Sequence, residues 1–289
     1  MMQQDTTIVL QEVSLTIYKR YKEICEKYGL RYFGIGGTCI GAIRHGGFIP
    51  WDDDLDVAMP YSDMLRFIEV SKTEFGEEYE LYNPIENMKQ PYIFIKMCKK
   101  NTTCIHEYVC HSPEDYFGIF IDIFPIFGMP KESMAQIRVQ RMHDMYLRLN
   151  FITHGSFSNQ HTILGKLAWL MLYPFKDRMI NSFYWTRKNI GEFSVYPIEN
   201  SDKVLFAWRL MRKKEGDYYN SVFEYDDFKT YIEMKFEDTM MRVPVGYDRY
   251  LTEDFGDYMT MPPIEKRVPA HRLVVVDPNK SYKEYIGKI

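Results

Sequence analysis

No stretch of this sequence approaches the roughly 18 uninterrupted apolar residues of a membrane-crossing helix. The longest candidate, 163–175, is short and carries Lys166, so we expect no membrane crossing. Cysteine is sparse: five residues, at 25, 39, 98, 104 and 110, in no even framework, which predicts free thiols instead of a disulfide scaffold. The opening residues lack the basic-then-apolar layout of a secretory signal. We therefore expect a cytoplasmic protein, with peripheral contact at the inner face of the membrane as the variant of that reading. Positive charge is not in excess either. With 36 Lys plus Arg against 40 Asp plus Glu, the net charge of −4 exerts no general pull on nucleic acid, and no nucleic-acid partner is expected. Internal repeats and low-complexity tracts are absent as well.

What remains is an ordinary globular composition of 289 residues, 46% hydrophobic, enough for one large domain or two small ones. Leu10, Val13, Ile17, Tyr21, Ile24 and Tyr28 recur at steps of three and four and predict an amphipathic helix over 8–28, stopped by Gly29. A short apolar strand over 30–35 leads into Gly36-Gly37 and a short helix near Thr38, whose hydroxyl could cap it. His45-Gly46-Gly47 should break that helix, and Pro50 should force an extended strand over 51–59. A helix follows over 62–75. The apolar runs 92–97 and 103–108 around Lys99-Lys100-Asn101 look like a hairpin. The run 118–124 looks like a buried strand ending at Pro125. Residues 131–178 read as helical, with segments to 150 and near 161–173, and the remainder as aromatic-rich and irregular.

The most informative residues are Asp52-Asp53-Asp54-Leu55-Asp56. Four acids in five positions repel one another unless they are solvated or held by a cation. In a strand, Asp52, Asp54 and Asp56 would share one face, with Asp53 on the other. Such a face suits Mg²⁺ or Mn²⁺. A Ca²⁺-binding loop beginning at Asp52 fails, because Val57 stands where Gly is needed and Asp63 where the bidentate Glu belongs. An acid motif of the prenyl-diphosphate type would need a helix here. A solvated acidic turn is the plain alternative, but it explains neither the glycine turn upstream nor Asp122, a lone acid in an apolar strand that a nearby cation would compensate. Gly36, Gly37 and Thr38 would let a phosphate approach backbone N–H groups. Together these residues outline a metal-dependent phosphoryl- or nucleotidyl-transfer site.

The run from Gly36 through Arg44-His45-Gly46-Gly47-Phe48-Ile49-Pro50-Trp51 to the acids resembles the signature of the LicD family, which includes bacterial phosphorylcholine transferases. Fukutin-related protein shares the motif at a distance. Phe120-Ile121-Asp122-Ile123-Phe124-Pro125, Phe236-Glu237-Asp238 and the segment reaching His271 also resemble the family, so the likeness covers most of 30–128 and 232–272. The spacing from Gly37 to Asp54 is longer than in the wider superfamily.

The resemblance implies an α+β fold: a nucleotidyltransferase-like mixed sheet flanked by helices. In it, 1–128 plus 232–289 would form the catalytic core and 129–231 a mainly helical acceptor-side insertion. It implies Asp54, Asp56 and Asp122 as a metal-binding trio for Mg²⁺ or Mn²⁺, with Asp52 as a further ligand or base. It also implies CDP-choline or another CDP-linked donor, including phospho-alditol donors, a cell-envelope glycan acceptor, and CMP as leaving group. A nucleotidylyltransferase releasing pyrophosphate and a non-catalytic nucleotide- or glycan-binding protein are the alternatives.

Five further features carry paired readings. Arg44 could neutralise phosphate oxygens or merely cap a helix end. Lys96 could reach phosphate or snorkel from its strand. His271 could contact nucleotide or acceptor, or be structural. Cys98, Cys104, His106, Cys110 and His111 could be imagined as a zinc site, but they lack a CxxC pair. The segment 163–175 reads as a core helix with a wet end, the alternative being a membrane-surface helix that presents a lipid-linked acceptor.

Overall fold

The computed structural model describes residues 2–83, 93–110, 115–154, 163–172, 174, 182–207 and 221–289. They form an α+β fold with a mixed sheet, as the family resemblance implies. The chain divides into two compact units. One comprises Met1–Tyr82, Lys96–Ile123 and Asp226–Ile289, the other Asn83–Ile95 and Phe124–Tyr225.

The first unit opens with helix α1 (Met2–Tyr28), which begins earlier than the periodicity indicated. Its buried stripe is Leu10, Ser14, Ile17, Tyr21 and Ile24, the three-and-four spacing of one helical face. After β1 (Phe33–Gly34), helix α2 (Gly36–Ile40) runs directly into a π-helical turn, Gly41–His45, closed by Gly46 in the left-handed region with φ 66. The helix thus starts two residues before Thr38, whose hydroxyl does not cap it.

Strand β2 spans only Asp56–Pro60. Residues 52–55 precede it as irregular chain, with the Asp52 N–H closing a turn onto the Ile49 carbonyl at 2.9 Å. The expected strand over 51–59 is therefore short by residues 51–55, although burial still alternates there: Asp52, Asp54 and Asp56 are half-buried, whereas Asp53, Leu55 and Val57 are buried. Helix α3 (Tyr61–Glu74) follows as anticipated.

The sheet runs β1-β2-β6-β4-β3, with β3 (Tyr79–Tyr82), β4 (Ile95–Lys99) and β6 (Phe120–Gly128). The hairpin expected around Lys99-Lys100-Asn101 is not formed. β4 pairs with β3, whereas β5 (Thr103–His106) pairs with the distant β11 (Leu273–Asp277). Nor does β6 stop at Pro125; its pairing with β7 (Lys203–Phe206) begins one residue later, at Ile126, so the missing proline N–H falls where that ladder starts.

The second unit holds α4 (Ser133–His154), α5 (Ile163–Leu172) and α6 (Ser182–Phe193), with α4 packed on α6, and the paired strands β7 and β8 (Val222–Glu224). His143 on α4 and Asn189 on α6, both buried, hydrogen-bond at 3.0 Å. The core reading of α5 does not hold for one face. Ile163, Leu164, Leu167, Leu170 and Met171 are all exposed, and at 100° per residue they form one apolar arc.

The tail of the first unit is more regular than expected. β9 (Tyr231–Phe236) and β10 (Thr239–Pro244) form a hairpin, followed by α7 (Tyr247–Phe255) and β11. No described helix is long and apolar enough to cross a membrane.

Candidate active site

The irregular segment 52–55 is held in place by other elements. The Gln11 amide on α1 donates to the carbonyls of Ile49 and Asp52, at 3.1 and 2.7 Å. The buried Thr38 hydroxyl accepts the Asp56 N–H at 2.8 Å. The Gly36 N–H donates to the Tyr250 hydroxyl of α7 at 2.9 Å. A Cβ on Gly37 would stand 2.5 Å from Asp52 Oδ2, so glycine here admits the Asp52 carboxylate against the backbone. The glycine turn and Thr38, expected to cradle a phosphate, therefore position Asp52 and Asp56, and the Gly36 N–H is engaged within the protein.

Asp52, Asp54, Asp56 and Asp122 influence one another electrostatically. Burial, then the charges of Asp54 and Asp53, push the Asp52 carboxyl up to about 8, and it hydrogen-bonds with Asp54. Burial raises Asp54 to about 6 against the opposing charge of His271. Burial, then Asp54, Asp122 and Asp52, hold Asp56 well above the carboxylate range. One Asp56 oxygen, Oδ1, is buried with no hydrogen-bond partner. A buried carboxylate oxygen without a donor, among acids that burial pushes above the usual carboxylate range, fits a divalent cation.

Asp122 has a compensating charge of its own. Lys96 Nζ lies 2.6 Å from Asp122 Oδ1, with both side chains nearly buried, and sits 3.6 Å above the centre of the Phe120 ring. Burial still raises the Asp122 carboxyl, opposed by Lys96. Lys96 neither snorkels nor reaches outward: it neutralises an acid. The sequence could not reveal this, because the two residues meet only through the pairing of β4 with β6, 26 residues apart in the chain.

Asp53 was expected to face away from the acids. Its carboxylate accepts the N–H groups of Ala270 and His271, at 3.3 and 3.1 Å, and pairs with His271 Nδ1 at 3.1 Å. That hydrogen bond raises the His271 imidazole above its usual range against the effect of burial. His271 Nδ1 also lies 3.7 Å from Asp54 Oδ2, and Asp53, Asp54 and His271 each offer an atom within 4.8 Å of the others, a grouping compatible with a metal ion. Asp53 oxygens already accept several donors, so of these three Asp54 is the residue common to both acid groupings.

Arg44 does not cap a carboxyl-terminal carbonyl of its own helix; it donates to the Tyr258 carbonyl and to His45 Nε2. Cys98 and Cys104 are buried free thiols, and among the described residues no Cys-His cluster has metal-ligand geometry; His111 lies outside those residues. Gln11 escaped sequence reasoning. Glu237 and Tyr250 both lie in family-like segments, but nothing local indicated what they would touch.

The family model described as "LicD/FKTN/FKRP, nucleotidyltransferase domain" matches residues 29–162. The lipopolysaccharide cholinephosphotransferase LicD of Haemophilus influenzae is 31% identical over 90% of this chain and 94% of its own length. An uncharacterised protein of Rickettsia typhi is 34% identical over 55% of this chain and 50% of its own. Human ribitol 5-phosphate transferase FKRP is 38% identical over 18% of this chain and 11% of its own. A match that runs nearly end to end on both chains takes in the acids, their glycine turn and the strand bearing Asp122, and on that ground the chain belongs to the LicD family and is a LicD-type phosphotransferase.

Proposed function

We propose that this enzyme transfers phosphocholine from CDP-choline to a hydroxyl of a lipopolysaccharide-type cell-envelope glycan, releasing CMP. The observation that carries this reading is the near full-length likeness to a lipopolysaccharide cholinephosphotransferase; the ribitol phosphate relative matches over only 18% of the chain, which favours choline over an alditol. The mixed sheet is read as nucleotidyltransferase-like, with 129–231 serving the acceptor.

Asp54 and Asp56 would hold Mg²⁺ or Mn²⁺, with Asp122 completing the set and Asp52 as a further ligand or base. When bound, the ion supplies charge neutralisation for the diphosphate oxygens. Asp52, pushed up to about 8, is suited to take the acceptor's proton near neutral pH. The acceptor oxygen bonds to the choline-side phosphorus, the bond from that phosphorus to the bridging oxygen breaks, and the electron pair leaves on CMP. Lys96 opposes the rise that burial imposes on the Asp122 carboxyl, so its charge is used within the protein. The apolar arc of α5 suits a membrane surface carrying a lipid-linked acceptor; Leu167→Glu with Leu170→Glu should then abolish flotation with anionic vesicles.

Purified protein given CDP-choline and lipopolysaccharide should release CMP only when Mg²⁺ or Mn²⁺ and acceptor are both present. Pyrophosphate release from CTP with the same acceptor would instead support a nucleotidylyltransferase. Calorimetric titration against CDP-choline, CDP-ribitol and CDP-glycerol tests the head group, and tighter binding of either alditol donor would defeat choline.

A further inference from the structure

Beside the acids lies a second group of residues with the opposite charge. Arg44 Nε donates to His45 Nε2 at 3.0 Å, and one of its Nη atoms to the Tyr258 carbonyl. The His45 ring meets Trp51 edge-on, with centroids 6.5 Å apart. The Arg267 guanidinium sits 5.6 Å from the Trp51 ring centre, and its Nε donates to the Pro262 carbonyl at 2.9 Å. Arg44, His45, Trp51 and Arg267 are thus contiguous, and all are half-buried.

Other arginines of the first unit have acids to answer them: Arg249 pairs with Asp227, and Arg31 with Asp63. Among the described residues, neither Arg44 nor Arg267 forms an ion pair with a carboxylate; their partners are backbone carbonyls and aromatic or imidazole rings. Burial and then the charge of Arg267 hold the Arg44 guanidinium below its usual range. Two like charges brought together under partial burial repel one another unless an anion joins them. Anchoring consumes only part of each five-donor fork, and the donors left over suit the paired oxygens of a phosphate.

The place is also suggestive. Trp51 directly precedes Asp52, and Arg267 lies three residues before Ala270, whose N–H is on Asp53, a chain distance of at most about 11 Å. We propose that Arg44 and Arg267 form an oxyanion clamp for the nucleotide-side phosphate of a diphosphate-linked donor. This rests on the transfer reading above, in which negative charge develops on the departing CMP and needs fixed donors aimed at it. His45 and Trp51 serve as positioning residues for the two guanidinium groups.

The test is calorimetric titration of CMP, CDP-choline, cytidine and inorganic pyrophosphate into the Mg²⁺-loaded wild type and into Arg44→Gln, Arg267→Gln and Arg267→Lys, with circular dichroism to verify folding. Loss of charge-assisted hydrogen bonds should weaken CMP and CDP-choline roughly tenfold to a hundredfold in each Gln variant, leave cytidine unchanged, and give an intermediate effect for Arg267→Lys. Should Arg44→Gln misfold, Arg267→Gln, on an irregular segment, decides alone. Wild-type CMP affinity in Arg267→Gln, or an equal loss for cytidine, overturns the clamp and leaves the donor reading standing. If Arg267→Gln spares CMP and weakens only a phosphorylated acceptor, the clamp is likewise overturned. Arginine-dependent pyrophosphate binding, without binding of CMP or CDP-choline by the wild type, keeps the clamp and sinks the donor reading.

Discussion

At Asp122 the cost of burying a charge and the proposed role in holding a cation fall on one side chain. An ionised acid inside an apolar strand demands compensation, and Lys96 provides it at 2.6 Å. Breaking such a pair leaves an uncompensated buried charge. Lys96→Met should therefore lower stability in urea denaturation by about 3–5 kcal/mol, and adding Asp122→Leu should recover most of that loss without restoring turnover. Asp53 and Asp56 should separate in the opposite sense. Asp53→Ala removes the acceptor of the Ala270 and His271 N–H groups and should cost about 1–3 kcal/mol of stability. Asp56→Asn should leave stability of the cation-free protein unchanged or higher while reducing turnover roughly a hundredfold or more. Equal activity in the two folded variants would defeat the assignment of Asp56 as a ligand. The acids themselves were legible as residues, because four carboxylates in five positions require an explanation. Their partners were not, since Lys96, His271 and Gln11 reach them from sites 26 or more residues away in sequence.

The elements show where local pattern loses to tertiary contact. Alternation through Leu55 and Val57 suggested a strand from 51, but pairing with β1 covers only Val57 and Ala58. The preceding acids are instead shaped by the turn at Ile49 and by Gln11. The β9-β10 hairpin was missed because β9 is largely exposed, so its side chains lack the in-out alternation that marks a half-buried strand. At its tip, Glu237 accepts the Phe48 N–H at 2.9 Å and its carboxylate lies against Gly47 where a Cβ would stand. The hairpin thus braces the loop leading to Pro50 and the acids. At the other side of that loop, Gly37→Ala would collide with the Asp52 carboxylate. Because groups that support metal ligands typically govern affinity by 10- to 100-fold, Gly37→Ala should weaken Mn²⁺ binding by about tenfold or more in calorimetry. Unchanged affinity would show that Asp52 is not a ligand.

For the whole molecule, the raised carboxyls couple stability to pH and to cation. Asp52 at about 8 and Asp54 at about 6, with Asp56 and Asp122 also raised, keep protons in the fold that an unfolded chain releases near pH 4. That contribution is complete below about pH 4 and is lost as pH rises through about 6 and then 8. His271, raised by its bond to Asp53, acts with the same sign from its unfolded value upward. Cation-free protein should therefore lose thermal stability between pH 5.5 and 8.5. Mn²⁺, which binds the ionised carboxylates and releases their protons, should restore more at pH 8.5 than at 5.5. Asp52→Asn should flatten the cation-free profile, and a profile as steep as the wild type would refute the shift at Asp52.

By itself the sequence determined the chemical class. The acids, the glycine turn and the lone aspartate are contiguous or carried on strongly patterned segments, and the long amphipathic α1 and the helix after Pro60 follow from local periodicity. Only the tertiary structure decided which strands pair and what each side chain answers to. It joined β5 to β11 across more than 160 residues, turned Lys96 toward Asp122, and brought Arg267 to Trp51. The physical reason is that local propensity acts over a few residues, whereas compensation of buried charge is settled between whichever groups the folded chain brings within hydrogen-bond reach.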